Sequence, residues 1–320
     1  MKLKNIKGYA LAAFAAAAYG TNPAFAVPLY VDGMNPNSVL LFRYLFGAAM
    51  LIPLMFMRGL TFRLTKEQLA PVAVLGVLMA FSSLALFESY RYMNSGIAST
   101  LLFVYPVLVA ILMTFVFHEK FKATFGICLI IMAIGLILLM KPTDGSSISL
   151  IGTVLVMISA LTYALYIILV NVSKVIKDIP TTKLMLYLLA IGSLVFVCFM
   201  PFGSPLTLPS QPTGWLNLVA LGLIPTVISL ACTTVAIQLI GSTPTAILGA
   251  LEPVSAVALS VLVLGQTITP RDMLGAALIV IATSLVVADS SVEKVILHVR
   301  KMFPRNQNSD EKWKRMSGKS

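Results

Sequence analysis

One acidic side chain stands where a charge is costly, and it could bind a proton or a cationic group. Glu252 directly precedes Pro253 in an apolar stretch, residues 243–264, that has no other charge. A helix of this length measures ~33 Å, enough to cross a bilayer core. An ionised group near its middle costs roughly 2.5–3.5 kcal/mol, so Glu252 needs a reason to be there. One hypothesis is that Glu252 binds a proton or a substrate amine and changes occupancy between the two states of a transporter. The other is that it is a neutral acid that holds neighbouring helices together by hydrogen bonds.

The same stretch has a counterpart earlier in the chain. Residues 96–117 match residues 243–264 at an offset of 147, which aligns Pro106 with Pro253 and Tyr105 with Glu252. After a two-residue gap, residues 126–135 match residues 275–284. This internal duplication predicts two halves that meet at paired helices broken at Pro106 and Pro253.

A second pair of charges lies within the apolar segments. Arg43 and Glu88 each stand about five residues from the outer end of a predicted span, at a depth of ~8 Å. Similar depth on adjacent helices allows a salt bridge, which would serve either as a structural tie or as an outer gate. Arg91, one turn from Glu88, is a competing partner.

Polar residues recur at helical spacing in three further segments. Such stripes serve either helix packing or the lining of a polar cavity. One stripe, in the sixth span, consists of Ser159, Thr162, Tyr163 and Tyr166. Another, in the eighth span, consists of Thr226, Ser229 and Thr233. The candidate substrate-binding residues are Tyr19, Asn22, Tyr105, Thr162, Tyr163, Tyr166, Thr233 and Glu252.

Ten apolar spans must position these residues. The chain of 320 residues is 58% hydrophobic and only 11% charged, which is typical of a membrane protein. The polar break at residues 141–147 divides it into repeats at 8–140 and 150–289, each with five spans. Because five is odd, the second repeat enters the membrane in the opposite sense, so we expect an all-α protein built from an inverted repeat. The first span could instead be a signal peptide, since residues 24–26 imitate a cleavage site. The expected spans are about 9–30, 38–57, 69–92, 96–117, 122–140, 150–172, 182–202, 215–240, 243–264 and 272–289.

The basic residues indicate an orientation. With the N-terminus inside, 19 of the 23 lysines and arginines fall in inner segments. We therefore expect a protein of the inner (plasma) membrane with both termini in the cytoplasm. The net charge of +11 therefore reflects topology and not nucleic-acid binding. Residues 290–320 form a basic tail that begins with a short amphipathic helix predicted to lie on the inner leaflet.

Enzymatic chemistry has little support. The chain has two histidines, His118 and His298, and neither belongs to a metal-ligand cluster or a catalytic triad. Its three cysteines lack metal-binding spacing, and there is no phosphate-binding loop. We therefore expect neither an enzyme nor a cofactor or metal site.

Several motifs resemble one family of carriers. They are YGTN at residues 19–22, FRYLFGA at 42–48, the Tyr105-Pro106 step and ALEP at 250–253. In order over ten spans, these resemble the EamA family of the drug/metabolite transporter superfamily, across residues 8–289. The resemblance implies a secondary carrier with a substrate cavity between two EamA repeats. Three features are unusual for the family: Tyr19 in place of Trp, Gln266 in place of the Glu that Glu119 retains in the first half, and Glu88.

The combined expectation is a transporter that moves small metabolites by alternating access, with export of amino acids favoured. Proton coupling through Glu252 is expected, and the protein would act as a monomer or a homodimer in the lipid bilayer. A drug or nucleotide-sugar transporter is the main alternative. A membrane receptor or assembly protein without net flux is the alternative of another class.

Overall fold

The computed structural model describes residues 3–89, 92–93, 98, 101–118, 123–139, 149–200, 205–264, 269–271 and 273–286. Every regular element in these ranges is helical, as the apolar composition predicts. Five expectations fall on residues outside the described ranges. These are Arg91, Glu119, Gln266, the seam at 141–147 and the tail at 290–320.

The helices follow one another with short connections. In chain order they are α1 (Leu3–Tyr19), α2 (Asn22–Val31), α3 (Pro36–Met57), α4 (Lys66–Ser89), α5 (Tyr105–Phe115), α6 (Ala123–Leu139), α7 (Leu150–Val172), α8 (Lys174–Lys177), α9 (Thr181–Phe199), α10 (Pro212–Gly222), a π-helical segment (Leu223–Ile228), α11 (Ser229–Ile240), α12 (Ser242–Gly249), α13 (Leu251–Leu264) and α14 (Met273–Val286).

Six helical segments in the described part of the chain are long and apolar enough to cross a membrane. They are Asn5–Val31, Pro36–Met57, Lys66–Ser89, Leu150–Val172, Thr181–Phe199 and Pro212–Ile240. The predicted fourth, fifth, ninth and tenth spans are not among them, because the helices described there are shorter; the fourth and ninth are also interrupted. The structure thus has the character of a multi-pass membrane protein, and the count of ten spans stays a prediction.

The two interruptions occur where the repeat places its prolines. Helix α5 begins at Tyr105 with Pro106 in its first turn, and α13 begins at Leu251, two residues before Pro253. Proline has no N–H and clashes with the preceding turn, so a new helix starting just before it avoids most of the cost. Each predicted bending residue therefore lies in the first turn that follows a break.

Helices of the first half pack mainly on helices of the second. The pairs that the repeat relates are α1 with α11, α3 with α9, α4 with α7, and the smaller α5 with α12; α4 also packs extensively on α9. A duplication related by a two-fold axis makes the first and third of these pairs equivalent, and maps the second and fourth onto themselves. The helix contacts therefore have the pattern expected of two paired repeats.

Hydroxyl groups join the two equivalent interfaces. Between α4 and α7, Ser159 Oγ donates to the carbonyl of Ser82 at 2.7 Å, and Ser82 Oγ lies 3.1 Å from the carbonyl of Ser159. Between α1 and α11, Ser229 Oγ donates to the carbonyl of Ala15 at 2.9 Å. Small hydroxyl residues let apolar helices approach closely and bond across the contact. Ser159 and Ser229 therefore serve packing.

One end of the bundle is closed by a loop contact. The Ser210 backbone N–H donates to the Asp32 carboxylate at 2.7 Å, and the Ser210 hydroxyl donates to its other oxygen. These bonds favour the ionised acid and lower the pKa of Asp32 below its usual value. The segment before α10 is thereby attached to the end of α2 at neutral pH. The attachment is lost as pH falls through the lowered pKa.

The contact between α3 and α9 yields a prediction. A Cβ at Gly192 would lie 2.5 Å from Cε2 of Tyr44, whose ring also packs against Phe196 at 4.9 Å. Because Tyr44 is fully buried, Gly192→Ala is expected to destabilise the protein by ~1–3 kcal/mol. Thermal unfolding of the purified protein in detergent measures this. Ala190→Leu, at an exposed position of the same helix, is the control and should leave the midpoint unchanged. Equal midpoints for all three proteins would contradict the packing at Gly192.

Candidate functional site

A cavity with several polar side chains in its wall lies between the two halves. Its volume is about 60 Å³, which is room for a few water molecules, since one water needs roughly 10–15 Å³. Both halves contribute to its wall, which includes four tyrosines and two side chains of opposite charge. The lining residues are Tyr19, Arg43, Tyr44, Met79, Ser82, Ser83, Leu86, Leu102, Tyr105, Tyr163, Pro225, Thr226, Ser229, Leu230, Thr233 and Glu252.

Glu252 stands at the start of a helix inside the protein. It is in the first turn of α13, directly after the break at Ala250. It also borders a second, smaller cavity of about 40 Å³ that reaches Ala12 and Ala16 of α1. The break thus places a carboxyl group beside enclosed space, where water, a proton or a cationic group can reach it.

The break at Ala250 leaves the carbonyl of Ala246 for a side chain to satisfy. The Ala250 N–H donates to Ile247 at 3.1 Å, so the carbonyl of Ala246 loses its usual partner four residues ahead. The Tyr105 hydroxyl, from the other half, donates to this carbonyl at 3.1 Å. Residue 105 thus lies close to the Glu252 break, as the repeat predicts. The hydroxyl also lies where a Cβ of Gly249 would be, at 1.9 Å, so a residue without a side chain is needed there.

The aromatic rings form a connected group. Tyr105 packs edge-on against Tyr163, with ring centroids 4.9 Å apart, and Tyr163 stacks on Tyr166 at 6.0 Å. Edge-to-face contacts of this kind hold aromatic side chains in fixed orientations. Tyr105 and Tyr163 therefore form a rigid wall on one side of the cavity.

A second proline alters the helix on the other side. Pro225 lies in the π-helical segment and has no N–H to donate to the carbonyl of Leu221. The Thr226 hydroxyl donates to that carbonyl at 2.7 Å. Such π-helical turns widen the backbone, and they occur often at functional sites. Thr226 thereby turns its oxygen toward the neighbouring helix α3.

Arg43 of α3 is held against this altered turn. Its Nε donates to Thr226 Oγ1 at 2.5 Å, its Nη2 to the carbonyl of Pro225 at 3.3 Å, and its Nη1 to Asn22 Oδ1 at 3.4 Å. The guanidinium also lies over the ring of Tyr19, 5.3 Å from its centroid. These contacts place a cation in the wall of the cavity that Glu252 also lines.

The structure therefore gives Arg43 different partners from the one that its depth suggested. Glu88 lies half-buried in the last turn of α4 and does not line this cavity. Depth along a helix is readable from sequence, but the direction in which a side chain leaves the helix axis depends on packing. Arg43 faces the π-helical segment, whose carbonyl and hydroxyl groups satisfy it. A gating role for Arg43 and Glu88 stays a prediction.

The other predicted site residues divide into two groups. Five line the cavity together, whereas Asn22, Thr162 and Tyr166 do not. Thr162 donates back to the carbonyl of Ile158 at 2.8 Å, and Tyr166 is fully buried behind Tyr163. A helical stripe is about 100° wide, so its members need not all reach one cavity. The five residues brought together are Tyr19, Tyr105, Tyr163, Thr233 and Glu252.

Some lining residues were missed from sequence. Tyr44 and Ser83 line the cavity and lie 3.2 Å apart through their oxygens, and Ser82 lines it beside them. Tyr44 follows Arg43 in the chain, and the two serines interrupt an otherwise apolar span. Either observation could have identified them as polar groups of the bundle interior.

In the described residues, no group of three or more His, Cys, Asp or Glu side chains could hold a metal ion. The polar groups at the cavity are hydroxyls, one guanidinium and one carboxyl. They can donate to, accept from and neutralise a small polar solute.

Comparisons with known proteins agree with this architecture. The model of the EamA-like transporter family matches two segments, residues 6–141 and 150–288. An uncharacterized transporter of Clostridium kluyveri is 24% identical over 87% of this chain and 92% of its own. The uncharacterized transporter YdfC of Bacillus subtilis is 23% identical over 77% and 79%. A solved crystal structure of a protein, 17% identical, shares the fold with a TM-score of 0.76 over 88% of this chain and 95% of that one.

The contact between Tyr105 and Gly249 yields a prediction. Gly249→Ala would force the tyrosine hydroxyl away from the Ala246 carbonyl, which leaves a buried acceptor unpaired at a cost of about 1–3 kcal/mol. We expect a lower thermal midpoint in detergent. Tyr105→Phe removes the same bond without adding an atom, so Gly249→Ala in the Tyr105→Phe background should cost less than it does alone. Additive losses would show that the two residues do not interact in this way.

Proposed function

Because the chain belongs to the EamA-like transporter family, we propose that it is a secondary active transporter that exports small metabolites, with amino acids as the favoured substrate class. The repeats at residues 8–140 and 150–289 rock against one another and expose the cavity to each side of the membrane in turn. The breaks before Tyr105 and Leu251 are the bending points. Energy comes from a gradient, with protons as the favoured coupling ion.

One observation carries the proposal: the Glu252 carboxyl lines a cavity that both halves enclose. A carboxyl group in such a position binds a cation only while the cavity admits one. It can hold a proton in one state and the amine of an amino acid in the other. Exchange of the two would couple transport to the proton gradient.

The proposed topology has ten spans, with both termini in the cytoplasm of a cell that carries the protein in its inner (plasma) membrane. The bias of basic residues supports this orientation, and the pairing of helices between halves supports the inverted repeat. Residues 290–320 are a basic cytoplasmic tail.

A drug exporter is the second candidate, and the four tyrosines of the cavity wall are the observation that favours it. Aromatic walls suit flat, apolar cations. Amino acids stay favoured because the same wall has five aliphatic hydroxyl groups and both signs of charge, which suit a small polar solute. A nucleotide sugar, with two phosphates, would need more cations than the single arginine of this cavity.

Counterflow in proteoliposomes tests the function. Vesicles preloaded in turn with unlabelled amino acids, nucleotide sugars or cationic drugs receive the matching labelled tracer outside. We expect accumulation with amino acids and none with the other two. Glu252→Gln should slow amino-acid uptake roughly 10- to 100-fold, as expected for one lost charged hydrogen bond, and should flatten its pH dependence.

Glu67→Gln is the matched control, because Glu67 is an exposed acid in the first turn of α4. It should transport like the wild type. Accumulation of drugs alone would favour the drug exporter. Folded wild-type protein that accumulates no tracer would favour a receptor or assembly protein. Unchanged transport and pH dependence in Glu252→Gln would remove the coupling role of Glu252.

Reporter fusions test the topology. A fluorescent protein fused after Ser320 should fluoresce, because it would fold in the cytoplasm. Alkaline phosphatase inserted in the 205–211 segment should be active, because that segment would face outward. The reverse pair of results would overturn the proposed orientation.

A further inference from the structure

Arg43 has hydrogen-bonding capacity that the protein does not use. A guanidinium carries five N–H groups, and in the described part of the chain three of them have acceptors: Thr226, the Pro225 carbonyl and Asn22. The residue is only 4% exposed, so bulk water does not supply the rest. For the other two N–H groups, one on each terminal nitrogen, the partners left are the Tyr19 side chain and a solute in the cavity that Arg43 lines.

The three protein contacts also fix how the guanidinium is presented. Thr226 and the Pro225 carbonyl occupy the edge formed by Nε and Nη2, and the Tyr19 ring covers one face. Nη1 makes only the longest of the three bonds, to Asn22 Oδ1 at 3.4 Å, so the outer edge between Nη1 and Nη2 is the least occupied part of the guanidinium. Two parallel N–H groups on such an edge match the two oxygens of a carboxylate.

The charge balance of the cavity further restricts the kind of ligand that it can bind. Its lining holds one cation, Arg43, and one acid, Glu252. The acceptors of Arg43 are all neutral. A ligand with one carboxylate and one ammonium would give each charge an opposite partner and add no net charge. A phosphate ester, with about two negative charges, would leave an uncompensated charge in a buried site.

We propose that Arg43 binds the carboxylate of the substrate while Glu252 binds its ammonium group, so that the transported species is a zwitterionic amino acid. This inference rests on the proposed function and deepens it, because it assigns a residue to each end of the substrate. Arg43 is then a specificity-determining residue. Solutes that have the amine but not the carboxylate are poor substrates.

The test compares each of the twenty L-amino acids with its methyl ester in the counterflow assay. The ester keeps the amine and side chain but cannot accept the two parallel bonds. The wild type should have a KM for the acid roughly 10- to 100-fold lower than for the ester. Arg43→Gln should raise the KM of the acid by that factor and leave that of the ester within about twofold, so the preference disappears. Arg43→Lys should restore part of it, because the charge is kept and the paired N–H groups are lost.

Thr226→Val is the matched control for a purely structural role. It removes the acceptor of Nε but leaves the outer edge of the guanidinium intact. The KM values for the acid and the ester should therefore rise in parallel, and their ratio should stay as in the wild type. A residue that only holds helices together would behave like Thr226 and not like a carboxylate-binding group.

The outcomes separate the two hypotheses. Transport of amino acids with the same preference in wild type and Arg43→Gln overturns the role of Arg43 and leaves the proposed function standing. Equal transport of acid and ester by the wild type also overturns the role of Arg43 and leaves the proposed function standing. Wild-type protein that transports none of the twenty contradicts the proposed function itself. If Arg43→Gln does not fold, thermal protection of the wild type decides: the acid should raise the midpoint more than its ester, and equal protection contradicts the proposal.

Discussion

A backbone group inside a bilayer has to find its hydrogen-bond partner within the protein, because there is no water to provide one. Among the carbonyls that proline and helix breaks release in this chain are those of Leu221 and Ala246, and the Pro225 carbonyl in the π-helical turn is a third that a side chain contacts. Each is satisfied by a side chain: Thr226 serves the first, Tyr105 the second and Arg43 the third. These side chains all line the cavity, so the groups that repair the backbone also build the candidate site.

This arrangement makes the cavity part of the structural support of the fold. Tyr105 and Arg43 come from the first half, and the carbonyls that they reach belong to the second. Some of the polar contacts between the halves thus also surround the cavity. A molecule that enters the cavity meets groups whose other contacts hold two helices together. Any movement of the halves therefore changes the geometry that the solute meets.

Much of the architecture was predictable from sequence because it depends on composition and repetition. Apolar length predicts helices, and the 147-residue offset aligns Pro106 with Pro253, each of which lies in the first turn after a helix break. The opposition of Tyr105 and the Glu252 segment also follows from the duplication. Side-chain direction was less accessible. Depth allowed a salt bridge between Arg43 and Glu88, whereas the structure shows Arg43 bonded to a π-helical turn, which no propensity predicts. Tyr166 and Thr162 share a stripe with Tyr163, but only Tyr163 reaches the cavity.

The close fit of Tyr105 against Gly249 also limits the order in which this sequence can change over generations. While residue 105 has a hydroxyl, any side chain at 249 meets it, so replacing the glycine costs stability. Loss of the hydroxyl first, through Phe, frees the neighbouring position for alanine; the reverse order passes through a clash. Of the two orders that lead to the same end point, only one avoids the clash. Descendants of this sequence should carry the pair as Tyr with Gly, or have lost the tyrosine before the glycine.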